Sequence, residues 1–210
     1  MTGRRMTGRP TTGPPTSARR STGRHAAAGT VRLVRMDPTG ADRDDLLAFL
    51  TTEEFPFHVR RTIAHADAAR AVDAGAFRDD DHDSWWLEHD RLGRIGMVRL
   101  EDLADPVPLF DLRIAGRSRG RGLGVPALRA TTAHVFGTMP AVTRFEGQTR
   151  EDNTAMRRVF DRAGWVQEAH YREAWPVEGG DPVGSVGYGM LRRDWETGTT
   201  TPVPWPPTTA

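Results

Sequence analysis

A short run of strand character, Leu109-Phe110-Asp111-Leu112-Arg113-Ile114, leads through Ala115 to Ser118 into Arg119-Gly120-Arg121-Gly122-Leu123-Gly124. A helix-forming stretch follows to position 136. A strand that delivers an arginine-rich glycine turn to the start of a helix is built to hold a phosphate. Gly122 and Gly124 remove side chains that would keep a ligand off the backbone, so N–H groups can face an anion beside the positive end of the helix dipole. Pro126 falls in the first helical turn, where its missing N–H costs nothing.

Of two common phosphate loops, the letters exclude one and weaken the other. A Walker loop ends in Gly-Lys-Ser/Thr, but all 29 basic side chains of this chain are arginine. A dinucleotide fingerprint needs Gly-x-Gly-x-x-Gly, whereas Gly120, Gly122 and Gly124 are evenly spaced and Val125 follows. What remains is Arg-x-x-Gly-x-Gly, met by Arg119, Gly122 and Gly124.

A second motif begins about 30 residues downstream. Glu146-Gly147-Gln148-Thr149-Arg150-Glu151-Asp152-Asn153 runs into a stretch where Ala155, Met156, Val159, Phe160 and Ala163 recur at helical spacing. Asp152 or Asn153 can cap its first turn, and Gly164 before Trp165 is a natural left-handed terminator. The two motifs in this order resemble the acyl-CoA pyrophosphate loop and the following strand-to-helix segment of the GNAT acetyltransferase superfamily. The nearest likeness is to the RimJ/RimL-like branch that acetylates ribosomal protein N-termini, over roughly residues 30–196.

That resemblance implies an α+β fold: a mixed, mostly antiparallel sheet of about seven strands flanked by helices. Its two central strands, 109–114 and 143–149, splay apart to admit the pantetheine arm. It implies acetyl-CoA as co-substrate, with Arg119, Arg121, Gly122, Leu123, Gly124 and Val125 on the pyrophosphate and Asn153 on the pantetheine. Backbone groups of Leu112, Arg113 and Ile114 would pair with the cofactor like a missing strand. The reaction implied is direct acetyl transfer to a primary amine, either a protein N-terminus or a small molecule. A homodimer is compatible with the family.

The chemistry makes its own demand. An amine of ordinary pKa near ~10.4 is protonated at neutral pH, so a group must accept its proton. Strand parity points to Glu146 and Asp111, each opposite its apolar neighbours; the competing expectation is that they pair with arginines such as Arg113 and Arg144. Where many relatives carry a tyrosine that reprotonates the thiolate, this chain has Phe160. Where the ribosomal branch often has serine, it has Met156. Tyr171 and Tyr188, the only tyrosines, are better read as packing residues.

Composition fits one catalytic domain. The chain has 210 residues, 37% of them hydrophobic, enough for one full core. With no cysteine there is no acyl-cysteine intermediate or thiolate metal cluster, and with no lysine there is no Schiff base. Residues 1–29 hold six arginines and no acid, and read as a disordered leader; 197–210 read as a disordered Thr/Pro-rich tail. Without the leader the formal charge is −5, which argues against a nucleic-acid module. No secretory or membrane-spanning segment is evident, so a cytoplasmic location is expected.

Strands are expected at 30–36, 84–88, 94–100, 109–114, 143–149, 165–175 and 185–192, and helices at 42–50, 64–76, 124–136 and after Asn153. Phe55, Phe57 and His58 fall in a loop between the first two helices, where the resemblance places the acceptor, with a plug in the core as the equal alternative; Trp86, with Trp85 and Trp175, is read at the same mouth or as core filling. The acidic run at 79–83 is read as solvated, and no metal is expected. Two other readings stand beside the transferase. Gly116-Arg117-Ser118-Arg119-Gly120 fits the Gly-x-Ser-x-Gly elbow of serine hydrolases, but only Asp161 or Glu168 and then His170 follow in the expected order, packed into one short stretch. A non-catalytic acyl-CoA sensor would keep the loop and need no base.

Overall fold

The computed structural model describes residues 29–204; residues 1–28 of the leader and 205–210 of the tail lie outside them. The order is β1 (Val31–Arg35), α1 (Arg43–Thr52), α2 (His65–Asp73), β2 (Asp83–His89), β3 (Gly93–Glu101), β4 (Leu109–Ile114), α3 (Gly124–Thr138), β5 (Arg144–Arg150), α4 (Thr154–Ala163), β6 (Val166–Trp175), β7 (Val183–Leu191) and α5 (Arg192–Thr197). The expected strands and the first four helices are all present, with ends displaced by a few residues.

The strands form two antiparallel sheets, β1-β2-β3-β4 and β5-β7-β6. They meet where β4 and β5 begin, through a bond from the Glu146 N–H to the Pro108 carbonyl at 3.2 Å. Beyond it β4 and β5 separate, which is the splay the resemblance implies.

Alternation along the strands feeds two cores. Trp85, Leu87, Val98 and Leu100 face α3 and α4 and join Leu128, Phe136, Phe145, Phe160 and Trp165. Trp86 and Met97 face the other way, against Leu46, Leu50 and Val72 of α1 and α2. Helices therefore cover both faces of the sheet layer, each helix burying one stripe. At the base of the splay Phe110 projects from β4 onto Phe145, Phe160 and Trp165, with ring centroids 5.2, 6.1 and 5.7 Å away.

α5 was not expected from the sequence, and six residues of mixed polarity explain why. Its first residue, Arg192, donates from all three guanidinium nitrogens to the carbonyls of Phe136, Met139 and Val142, at 2.7, 2.7 and 2.8 Å. α3 carries no basic residue in its last turn, so Arg192 supplies the cation that its C-terminal carbonyls favour. Within α5, Asp194 accepts the N–H and hydroxyl of Thr201, which lies beyond the helix, at 2.9 and 2.6 Å.

Candidate active site

The glycine turn folds as a short 3-10 segment, Gly116–Ser118, and then a loop that rises into α3. Gly122 has φ +79°, a conformation that costs other residues roughly 1–2 kcal/mol. Gly124 is bare for a different reason than ligand access. A Cβ there would lie 2.6 Å from Cγ2 of Val159, so its absence lets α3 and α4 pack closely. No side chain caps α3, and no backbone N–H from Gly120 to Val125 donates to a protein acceptor among the described residues. Such a run of free donors at a helix start is an anion cradle. Leu123 is buried and Arg121 exposed beside it. Arg119 turns back instead: its Nε donates to the Ile114 carbonyl at 2.8 Å.

The edge of β4 leads from this loop into the splay. The Pro108 carbonyl meets β5, and the Ala115 N–H donates to Ile95 of β3 at 2.9 Å. Backbone direction alternates, so Leu112 and Ile114 turn their polar groups to the open edge while Arg113 turns its own to β3, opposite Met97. Of the three expected backbone partners for a cofactor, Arg113 is therefore already engaged. The Ile114 carbonyl is held by Arg119 as well, which leaves Leu112 the freest.

A cavity of about 620 Å³ opens at the splay, bordered by Leu112, Asn153, Met156 and Trp175 on one side and by Phe57, His58 and Asp67 on the other. Asn153 is the N-cap of α4: its Oδ1 accepts the Met156 N–H at 3.2 Å and its Nδ2 donates to Thr149 Oγ1 at 2.9 Å. Phe57 and His58 line the cavity, as expected for the acceptor loop. Phe55 does not. It is 1% exposed, under the Arg113 guanidinium at 4.6 Å, and plugs the core instead. Trp86 is also elsewhere: its Nε1 donates to Asp42 at 2.8 Å, Arg94 covers its ring at 3.9 Å, and it borders a separate 350 Å³ hollow beside α1.

Both candidate carboxylates are paired with the neighbouring arginines. Glu146 accepts from Arg144 Nε at 2.5 Å, and Arg144 also pairs with Glu168 of β6. Glu146 is not among the residues lining the cavity. Asp111 does line it, with Oδ2 on Arg113 at 2.7 Å and Oδ1 on His58 Nε2 at 2.9 Å. Burial pushes the Asp111 carboxyl up, but the charge of Arg113 and the bond from His58 outweigh it and hold the group well below the usual carboxylate range. A carboxylate held so firmly ionised is by itself a weak proton acceptor.

Neither usual thiolate donor is replaced. Phe160 is fully buried and stacks on Tyr188 at 4.3 Å with the rings 7° apart, and Tyr188 is 2% exposed. Among the described residues the elbow serine finds no triad: Ser118 is buried without a histidine partner, and His170 pairs with Glu151 at 2.8 Å. In the acidic run Asp79 accepts from the Asp81 and His82 N–H groups, a turn held by its own side chain. Among the described residues no three metal-ligating side chains gather, and no helix is long and apolar enough to cross a membrane.

The family described as Acetyltransferase (GNAT) domain matches residues 31–166, well over half of the chain. The fold is similar to a chimera of the spermidine N-acetyltransferase SpeG from Vibrio cholerae and hSSAT, at 14% identity and TM-score 0.67, covering 80% of this chain and 98% of that one. It is similar also to the Vibrio cholerae spermidine N-acetyltransferase in complex with CoA and spermine, at 14% identity and TM-score 0.63, again over 80% and 98% of the two chains. Identity this low speaks for shared architecture. The free-donor loop, the splayed strands and the span of the family match together place this chain in the GNAT acetyltransferase family.

Proposed function

We propose that the chain transfers an acetyl group from acetyl-CoA directly to a primary amine that enters the 620 Å³ cavity, with the coenzyme laid along the open edge of β4. The observation that carries this reading is the row of unbonded N–H groups from Gly120 to Val125, which abuts that edge. The pyrophosphate is assigned to these groups with Arg121 beside them. Arg119 serves from behind, fixing the end of β4. Leu112 offers the best backbone partner for the pantetheine, and an N–H near the thioester carbonyl would stabilise the charge that develops as the amine attacks. Asn153 contributes through the amide hydrogen and lone pair that its cap bonds leave free.

The acceptor is read from the cavity's charge. Asp67, Glu101 and Asp111 border it, but each is paired with an arginine that borders it too: Arg60, Arg99 and Arg113. Such a balanced wall gives no extra attraction to a polycation such as spermine. It suits a single amine that also carries carbonyl or carboxylate oxygens for the arginines, as a peptide N-terminus does. This favours the ribosomal-type acceptor of the RimJ/RimL-like branch over a polyamine.

Release of free thiol from acetyl-CoA, followed across peptides, polyamines and aminoglycoside-like amines, tests the reading. The chain's lack of cysteine leaves no protein background. Turnover with peptides above polyamines is expected; no amine-dependent release, or no heat of binding with acetyl-CoA, would reject it.

A further inference from the structure

The reaction needs a proton acceptor at the cavity, and the two carboxylates that strand parity singles out are both committed to arginines. One titratable group on the wall is not. His58 sits in the loop after α1, and that loop is well fixed: the His58 N–H donates to the Phe55 carbonyl at 3.1 Å, the Phe55 N–H to Arg61 at 2.8 Å, and Arg150 of β5 reaches the Pro56 carbonyl at 3.3 Å. The imidazole rests against the buried Phe55 ring at 5.4 Å and borders the cavity.

We propose that His58 is the catalytic proton acceptor of this transfer and that Asp111 is its positioning residue. The inference rests on the acetyl-transfer reading above. An ionised carboxylate can only accept hydrogen bonds, so the 2.9 Å contact with Asp111 requires the proton on His58 Nε2. Nδ1 then carries the lone pair, and it bonds no protein atom among the described residues. The charged groups around the pair are Arg113 on β4, Arg99 and Glu101 on β3, Arg60 in the same loop, Asp67 on α2 and Arg150 on β5.

The step balances. The acceptor reacts as the free amine, its ammonium proton having gone to solvent: the nitrogen attacks the thioester carbon, a C–N bond forms, and the now cationic nitrogen gives one proton to Nδ1. The C–S bond breaks and coenzyme A leaves as a thiolate. The imidazolium then returns that proton to the departing sulfur, a basic acceptor because ordinary thiols have a pKa of ~8.5. His58 ends neutral, and no tyrosine is required, in keeping with Phe160 and Met156 where proton donors stand in relatives.

The test compares the full chain with His58→Gln, His58→Ala and Asp111→Asn by acetyl-CoA thiol release, using the best amine of the panel. Expected for His58→Gln is a kcat loss of roughly 10²–10⁴-fold, with acetyl-CoA binding by calorimetry unchanged. The acid-side limb of the kcat/KM profile should disappear. Free imidazole should restore part of the His58→Ala rate, and Asp111→Asn should shift the limb as well as lower kcat. A His58→Gln enzyme that keeps kcat within about threefold, or keeps the wild-type limb, overturns the assignment, as does a His58→Ala enzyme that imidazole does not help. Wild-type turnover together with such a result rejects His58 alone; absent wild-type turnover rejects the transfer reading and this inference with it.

Discussion

Two helices begin on either side of the splay, and they solve the same problem in opposite ways. α4 satisfies its first donors internally: Asn153 takes the Met156 N–H, its carbonyl takes Arg157, and the Thr154 N–H reaches Asp152. α3 leaves its first donors open, with no capping side chain and a glycine turn beneath it. A helix start without a cap gives up about 1 kcal/mol of local stability. Where the chain accepts that loss and adds arginines, the donors stand open to the proposed ligand; where it does not, the start is structural. The difference separates a binding site from a scaffold within one domain.

The contrast can be broken by experiment. Its largest expected effect lies at Gly122, where a β-branched residue cannot readily hold φ +79°. Gly122→Val should cost roughly 1–3 kcal/mol in strain and abolish acetyl-CoA binding in calorimetry; wild-type affinity would mean the loop is not the cradle. Gly124→Ala should come next, losing about 1–3 kcal/mol in a denaturant melt because its methyl meets Val159. A Val159→Ala partner change should recover part of that loss. Asn153→Ala should cost about 1 kcal/mol through the lost cap, while Asn153→Asp should keep the cap and the stability. If Asn153→Asp nonetheless binds acetyl-CoA several-fold more weakly, the amide end of the side chain belongs to the site and α4 is not purely structural. The smallest effect is at Arg121, which is exposed: Arg121→Ala should leave stability within about 0.5 kcal/mol and weaken coenzyme binding a few-fold, more at low salt than at high.

The features legible in the sequence are those decided within a few residues. The bounds of β4, the Asn153 cap and the Gly164 stop depend on local backbone chemistry, and all three appear as expected. The free-donor loop was legible for the same reason. Features that need partners far apart in sequence were not. His58 and Asp111 are 53 positions apart, and nothing in either segment announces the bond between them. Phe55 and Trp86 read as mouth-lining aromatics, but which way each ring points is settled by Arg113 and Asp42 from other elements. Parity put Asp111 and Glu146 each opposite its apolar neighbours, yet it is silent on how far along the splay each lies. The Arg113 backbone could be judged free only without knowing which edge of β4 pairs with β3.

Phe110 stands at the root of the splay. Its ring stands among Phe145, Phe160 and Trp165 at the point where β4 and β5 part, so the slot is propped open by packing settled during folding. On the proposed reading, a coenzyme arriving there would have no strands to pry apart, and its binding energy would be free to orient the thioester. A smaller side chain at this position would let the two strands zip further together, and the more regular sheet that resulted would leave the enzyme with no room for its acetyl donor.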